Sequence, residues 1–202
     1  MIVHKMDQYS ELWWQIRRGV PTMSKCDKII TPKTAKLSAQ SRQYMHELIA
    51  EPVSKEEEEG FEPTKWMLRG IELEEEARDW YEMHHNCDLD QVGFVTNDEA
   101  TLGCSPDSLT ETYGVEIKCP KASTHVGYLL NGTLPDFYKP QVHGSMFITG
   151  LPWRFISYHP DFDPLVVSVE PDDYTDLVGK ALTQFAKDLS ETRDKLLNRK
   201  AA

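Results

Sequence analysis

The sequence contains no stretch approaching the roughly 18 consecutive apolar residues that a membrane-crossing helix requires. Its opening residues, MIVHKMDQYS, lack the basic start and apolar run of a secretory signal. The expectation is a soluble, cytoplasmic protein with no membrane partner. Cysteine is scarce. Cys26, Cys87, Cys104 and Cys119 form no CxxC pair and no zinc spacing, which argues against a zinc or iron–sulfur site and for reduced, packed thiols. No internal repeat stands out. Basic residues are also in deficit, 22 Lys and Arg against 33 Asp and Glu, giving a formal net charge of -11. That balance argues against indiscriminate coating of nucleic acid.

What is present is enough for one folded unit. The 202 residues are 40% hydrophobic and 27% charged, a mixture that buries a core rather than staying disordered, and the expected organisation is a single domain over 1–202. The charge is uneven: residues 1–50 carry a balance of +4 and the remainder -15. A basic arm can therefore meet phosphates while the outer surface stays acidic. Composition does not choose between nucleic acid and small-molecule substrates.

Residues 7–18 read as a first helix, with Leu12, Trp13 and Ile16 as packing residues and Gly19 and Pro21 ending it. Ser38 is placed to cap a second, whose inner side includes Met45, Leu48 and Ile49. The acidic run 55–60 reads as an exposed loop. Residues 63–85 give a long helix in which Met67, Ile71, Ala77, Arg78 and Tyr81 share a sector, with Glu74 in its middle. A carboxylate on such a stripe is either functional or paired, and Arg78, four residues on, is the pairing rival. Strands are expected at 92–95, 102–109 and 115–119, with a turn at Asn97 and Asp98 and a tight connection over 110–114. A helix over 137–150 follows, with Pro140 in its first turn. Strands at 153–159 and 165–170 come next, and a last helix at 172–198 repeats Tyr174, Val178, Ala181, Phe185 and Leu189. The order implies an α/β (or α+β) domain with a mixed central sheet flanked by helices.

The chemistry concentrates in GCSPDSLTETYGVEIKCPKAS. In a strand, Glu116 and Lys118 share a face, while Val115, Ile117 and Cys119 point to the core. If the preceding strand pairs across the turn, Asp107 approaches Glu116, and Ser105-Pro106 constrains that approach. Two acids and a lysine at one sheet end suit phosphodiester hydrolysis. Asp107, Glu116 and the Ile117 carbonyl offer hard oxygens to Mg²⁺. A second ion about 4 Å away would draw on Glu74. Lys118 would orient water or neutralise transition-state charge. The same charges on an exposed hairpin would mean nothing more than solvation.

Pro106-Asp107 followed by Glu116-Ile117-Lys118 resembles the PD-(D/E)xK nuclease motif. The wider order is similar to the YqaJ-like viral recombinase, or phage lambda exonuclease, family. Trp13 or Trp14 precedes Arg17, Gly19, Thr22 and Ser24; Gly70 and Glu74 follow; then Ser105 and Asp107; then Gln141-Val142 and Met146. Ser108 stands where the family usually has glycine. The resemblance implies a PD-(D/E)xK restriction-endonuclease-like core and an N-terminal DNA-end-binding portion over about 1–60. It further implies a 5′ phosphate held by Arg17 and Ser24, Gln141 hydrogen-bonded to water, substrate or an active-site carboxylate, and Trp13, Trp14 and Ser105 near DNA. Implied with these are Mg²⁺, with Mn²⁺ as a substitute, and a homotrimeric ring around 5′-phosphorylated duplex DNA. A single-strand-annealing partner and a phage or prophage origin complete the set. An endonuclease and a non-catalytic DNA-binding scaffold are the rival readings.

Overall fold

The computed structural model describes residues 1–54 and 65–200; the acidic run 55–60 and the expected helix start at 63 lie outside them, as does the side chain of Met67. Two sheets organise the chain. The first is antiparallel in the order β1-β2-β3, formed by Ile2–His4, Phe94–Thr96 and Gly103–Cys104. The second is mixed, in the order β4-β5-β6-β7, formed by Ser108–Leu109, Gly114–Lys118, Trp153–Ser157 and Leu165–Val169. In the second sheet only β5 and β6 run parallel, with Glu116 opposite Phe155 and Lys118 opposite Ser157.

The expected single strand over 102–109 is two short strands in different sheets. Pro106 lacks an N–H for a ladder, and the chain turns there. Gly103 N–H donates to the Pro21 carbonyl at 3.0 Å, while Asp107 N–H donates to the Val115 carbonyl at 3.1 Å. This break carries Asp107 from one sheet to the other. Strand β1 was not expected, nor was the helix α5 at Ala122–Asn131, which Gly132 ends at φ 62. The latter contains Gly127 and the β-branched Thr124 and Val126, so its intrinsic propensity is poor.

The remaining helices are α1 (Glu11–Arg17), α2 (Cys26–Ile29), α3 (Ser41–Ala50), α4 (Lys65–His85), α6 (Lys139–Thr149) and α7 (Asp173–Lys200). The first is shorter than expected because residues 7–10 form a turn. There Ser10 caps the helix, its Oγ accepting from Trp13 N–H at 3.3 Å. Of its expected packing residues only Trp13 is buried; Leu12 is exposed. Ser38 bonds Gln40 N–H in the turn before α3 instead of capping that helix. In α4 the expected Ala77, Arg78 and Tyr81 are buried, with Leu73 joining them, while Ile71 is exposed. Ala77 and Tyr81 pack on Val115, Ile117 and Ile156 of β5 and β6. A second cluster joins α2, α3 and α7 through Ile29, Leu48, Val178 and Leu182, and a third packs Val142 and Met146 of α6 on Trp153 and Phe155. Among the described residues no helix is long and apolar enough to cross a membrane.

The strand that carries Glu116 and Lys118 begins at a position only glycine fits. A Cβ on Gly114 would lie 2.3 Å from the Trp153 ring. Gly114→Ala should therefore cost about 1–3 kcal/mol through forced displacement of that buried indole. Thermal melts check this; an unchanged midpoint would show that the ring yields freely.

Candidate active site

Four elements converge on the C-terminal half of β5. The turn at 105–107 supplies Asp107, whose Oδ2 accepts from Ile117 N–H at 2.5 Å. One side chain thus replaces a ladder partner at the strand and is locked beside Glu116. The strand supplies Glu116, 2% exposed, and Lys118 two residues on. Glu116 Oε1 accepts from Lys118 Nζ and, at 2.6 Å, from Gln141 Nε2 on α6. Helix α4 supplies Glu74, whose Oε1 pairs with Arg78 Nη2 at 3.0 Å. Glu74 is thus paired with the Arg78 expected as its rival partner, and it also lines one cavity with Asp107.

Electrostatics follow from crowding acids out of water. Burial, then Asp107, pushes Glu116 up to about 7 against the pull of Lys118. Burial, then Asp107, pushes Glu74 up to about 8 against Arg78. Asp107 is raised by burial as well, with Lys118 and the Ile117 N–H opposing. Burial alone would lower Lys118, but Glu116 and Asp107 outweigh it and hold the ammonium above its ordinary range. Lys118 is therefore a cation here, with the Tyr138 ring 5.6 Å from its Nζ.

The acids suit a hard divalent cation by donor chemistry, and their mutual repulsion is what such a charge would relieve. They are not drawn together as a finished cage. Among the described residues no group of three or more His, Cys, Asp or Glu side chains is poised to hold a metal ion. Arg78 draws one oxygen of Glu74, and Lys118 and Gln141 draw one of Glu116.

The second half of the site lies against α1. Arg17 Nη1 donates to Ser105 Oγ at 2.7 Å, and its guanidinium lies 3.9 Å from the Trp13 ring centroid. Burial lowers Arg17 to about 10, which leaves it charged at neutral pH. With Trp14, Arg18, Thr22 and Lys25 it lines a cavity of about 160 Å³. Ser24 is exposed, its hydroxyl 3.3 Å from that of Thr22, and it is Thr22 that lines this cavity. Trp13 is not available to stack on a base. It is 5% exposed, and its Nε1 donates to the Gly93 carbonyl at 2.8 Å and to Ser105 Oγ at 3.0 Å. Trp14, 44% exposed, stays open to solvent. His143 is a packing residue on Thr175 Oγ1 at 2.8 Å.

Two residues near the site, Gln8 and Tyr9, escaped sequence reasoning, and the sequence marks a third, Arg78, only as an inward residue and a partner for Glu74. Arg78 is more than a partner for Glu74: buried at 8% exposure, its Nε donates to Ser108 Oγ at 3.1 Å and so ties α4 to β4. Gln8 Nε2 donates to both Val92 and Pro106 carbonyls, at 3.0 and 2.8 Å. Tyr9 lines the cavity that Glu74 and Asp107 share. Only Arg78 left a signal, its spacing of four from an inward glutamate.

A sequence model of the YqaJ-like viral recombinase domain matches residues 12–152, a span that includes Arg17, Glu74, Asp107, Glu116, Lys118 and Gln141. Among solved structures, the chain is similar to an alkaline exonuclease (LHK-Exo) from Laribacter hongkongensis. The two share 28% identity and a TM-score of 0.81 over 95% of this chain and 98% of that one. LHK-Exo in complex with dAMP gives 28% identity and 0.80 over the same shares. A phage related exonuclease from Haemophilus somnus 129PT matches at 17% identity and a TM-score of 0.61, covering 89% of this chain and 96% of that one, and speaks to fold alone. A search of curated proteins returned no match.

Proposed function

The chain belongs to the YqaJ-like viral recombinase family, and from that premise we propose that it is a Mg²⁺-dependent 5′-to-3′ exonuclease that degrades one strand of linear double-stranded DNA to mononucleotides and leaves a 3′ single-stranded tail. A nuclease acting on DNA is the part that the family and the exonuclease similarity support. The observation that carries it is local. Glu116 is held by Lys118 and Gln141 while Asp107 is fixed on the next N–H of the same strand.

Asp107 and Glu116, with Glu74 and the Ile117 carbonyl, would hold Mg²⁺, for which Mn²⁺ can substitute. When bound, Mg²⁺ supplies positive charge that favours ionisation of an attacking water and stabilises the departing 3′ oxygen. The chain's own contribution is placement. Gln141 fixes the Glu116 carboxylate, and Lys118 sets an ammonium beside the phosphate to offset charge that grows in the transition state. Water oxygen joins phosphorus, the P–O3′ bond breaks, and the shortened strand keeps a new 5′ phosphate. Arg17, steadied by Ser105, and Ser24 would grip that end, so each cut regenerates the group the enzyme holds.

A homotrimeric ring encircling DNA and a single-strand-annealing partner are further parts of the proposal, drawn from the family resemblance. A ring fits a chain of net charge -11, since only its channel must attract phosphate. End-labelled linear duplex and covalently closed circles test the reading. Progressive mononucleotide release from 5′ ends is expected; rapid cutting of circles would make it an endonuclease, and binding without hydrolysis a scaffold.

Arg17→Ala should cost about 10–100-fold in kcat/KM on 5′-phosphorylated ends, the loss of a charge-assisted bond or two. On 5′-hydroxyl ends it should change little. Equal losses on both ends in steady-state kinetics would remove Arg17 from phosphate recognition.

A further inference from the structure

Tyr9 lies outside the span that the family match covers, and the chemistry above does not use it. Its backbone is unusual: φ is 66, the left-handed region that a bulky L residue rarely adopts. The residue is 54% exposed, so complete burial of the aromatic does not offset that backbone cost. The flanking residues hold it there. Gln8 bonds Val92 and Pro106 carbonyls together, the latter one residue before Asp107, and Ser10 donates to the Asp7 carbonyl at 2.7 Å while capping α1. The Tyr9 ring also rests on Trp13 at 5.2 Å between centroids, so the platform is stiff.

The surface Tyr9 borders is a cavity of about 290 Å³ with two kinds of wall. Met6, Ile71 and Val92 are apolar, and Ile71 is 45% exposed. Asp7, Glu74, Glu75 and Asp107 are acidic, and Gln8 and Gln91 are neutral and polar. Among the described residues no Lys or Arg side chain lines the cavity, so away from any bound cation this wall repels phosphate. A flat, neutral group with apolar faces and hydrogen-bonding edges suits it. In a nucleic acid that group is the base.

We propose that Tyr9 is a stacking platform that seats the nucleobase adjoining the cleaved phosphodiester in the cavity beside Glu74 and Asp107, an inference that rests on the nuclease reading for what is cleaved. Stacking of one base on an aromatic ring corresponds to about 5–150-fold in affinity. It tolerates any base, because each has a π face.

The test is a double-mutant cycle with duplexes bearing either a normal or an abasic nucleotide beside the cleaved bond. Wild type should lose about 5–150-fold in kcat/KM on the abasic duplex. Tyr9→Ala should lose as much on the normal duplex and nothing more on the abasic one, and Tyr9→Phe should match wild type on both. Independent, multiplying losses, or a Phe variant as poor as Ala, overturn the proposal. A binding readout without divalent cation separates the two claims. 2-Aminopurine at the same position should be quenched by wild type and Tyr9→Phe and not by Tyr9→Ala. If wild type cuts no duplex, the nuclease reading falls and the quenching alone decides stacking; equal quenching by all three proteins would sink it.

Discussion

Asp107→Asn and Glu116→Gln should each lower the single-turnover rate of duplex hydrolysis by at least about 10³-fold while leaving the protein folded. The scale follows from removing a charged group aimed at the reacting centre, where one such group commonly supplies two to three decades or more. Both substitutions keep shape. An amide at position 107 retains an oxygen able to accept from Ile117 N–H, and an amide at position 116 retains one able to accept from Lys118 and Gln141. The strand and its partners therefore have no steric reason to move. What disappears is the negative charge that a divalent cation requires. Circular dichroism and melting curves separate this from unfolding. A folded Glu116→Gln within tenfold of wild type would mean that its carboxylate does not bind the cation that matters.

The second large effect is in stability and runs with pH. In the metal-free protein Glu116 titrates near 7 and Glu74 near 8, against an ordinary 4.5. Between pH 4.5 and about 8 the folded state holds protons on these acids that the unfolded chain has released, so their contribution to stability falls as pH rises through that window. His125 and His143, lowered by burial from an ordinary 6.5, work the other way, so wild type is compared with Glu116→Gln: wild type should lose more stability over the window, and equal slopes would contradict the acid cluster. On the proposed function Mg²⁺ would bind the ionised carboxylates, so its stabilisation should grow over the same range. At about 100 times its Kd the gain is about 2.7 kcal/mol, or about 5–10 °C in Tm for a chain of this size, at pH 8 and much less at pH 5. Melting curves across pH, with EDTA or with Mg²⁺, read both. A Tm increment from Mg²⁺ that is the same at pH 5 and pH 8 would place its binding elsewhere.

The meeting of Asp107, Glu116 and Lys118 was legible because its information is local. Period-two alternation puts Glu116 and Lys118 on one face whatever the sheet does, and Ser105-Pro106 marks the turn that delivers Asp107. Glu74 was legible as an acid beside a stripe whose Ala77, Arg78 and Tyr81 are buried. Helix periodicity gives a face only to within a residue or so, and Leu73 is buried where Ile71 was expected. Gln141 needed the family resemblance, since an amide on a helix carries no signal of its own; the fold then set it on Glu116. Less was legible where the cause is tertiary. Strand β1 exists because Phe94–Thr96 offers it an edge, and the break between β3 and β4 exists because two sheets compete for one short segment. Trp13 and Trp14 are adjacent and alike in sequence; a hydroxyl at Ser105 and a carbonyl at Gly93, about 80 or more residues away, decide which is buried. Tyr9 is set by a left-handed backbone that no residue pattern announces.

On the proposed function an ammonium and a carboxylate on β5, with a second carboxylate from the turn beside it, hydrolyse DNA with a divalent cation. Single-turnover digestion of a 5′-labelled linear duplex, by wild type and Lys118→Ala, with EDTA and after Mg²⁺ is restored, tests it most directly. Label should leave as mononucleotide only with wild type and only with Mg²⁺. Release of comparable speed in EDTA, or by a folded Lys118→Ala protein, would contradict the account.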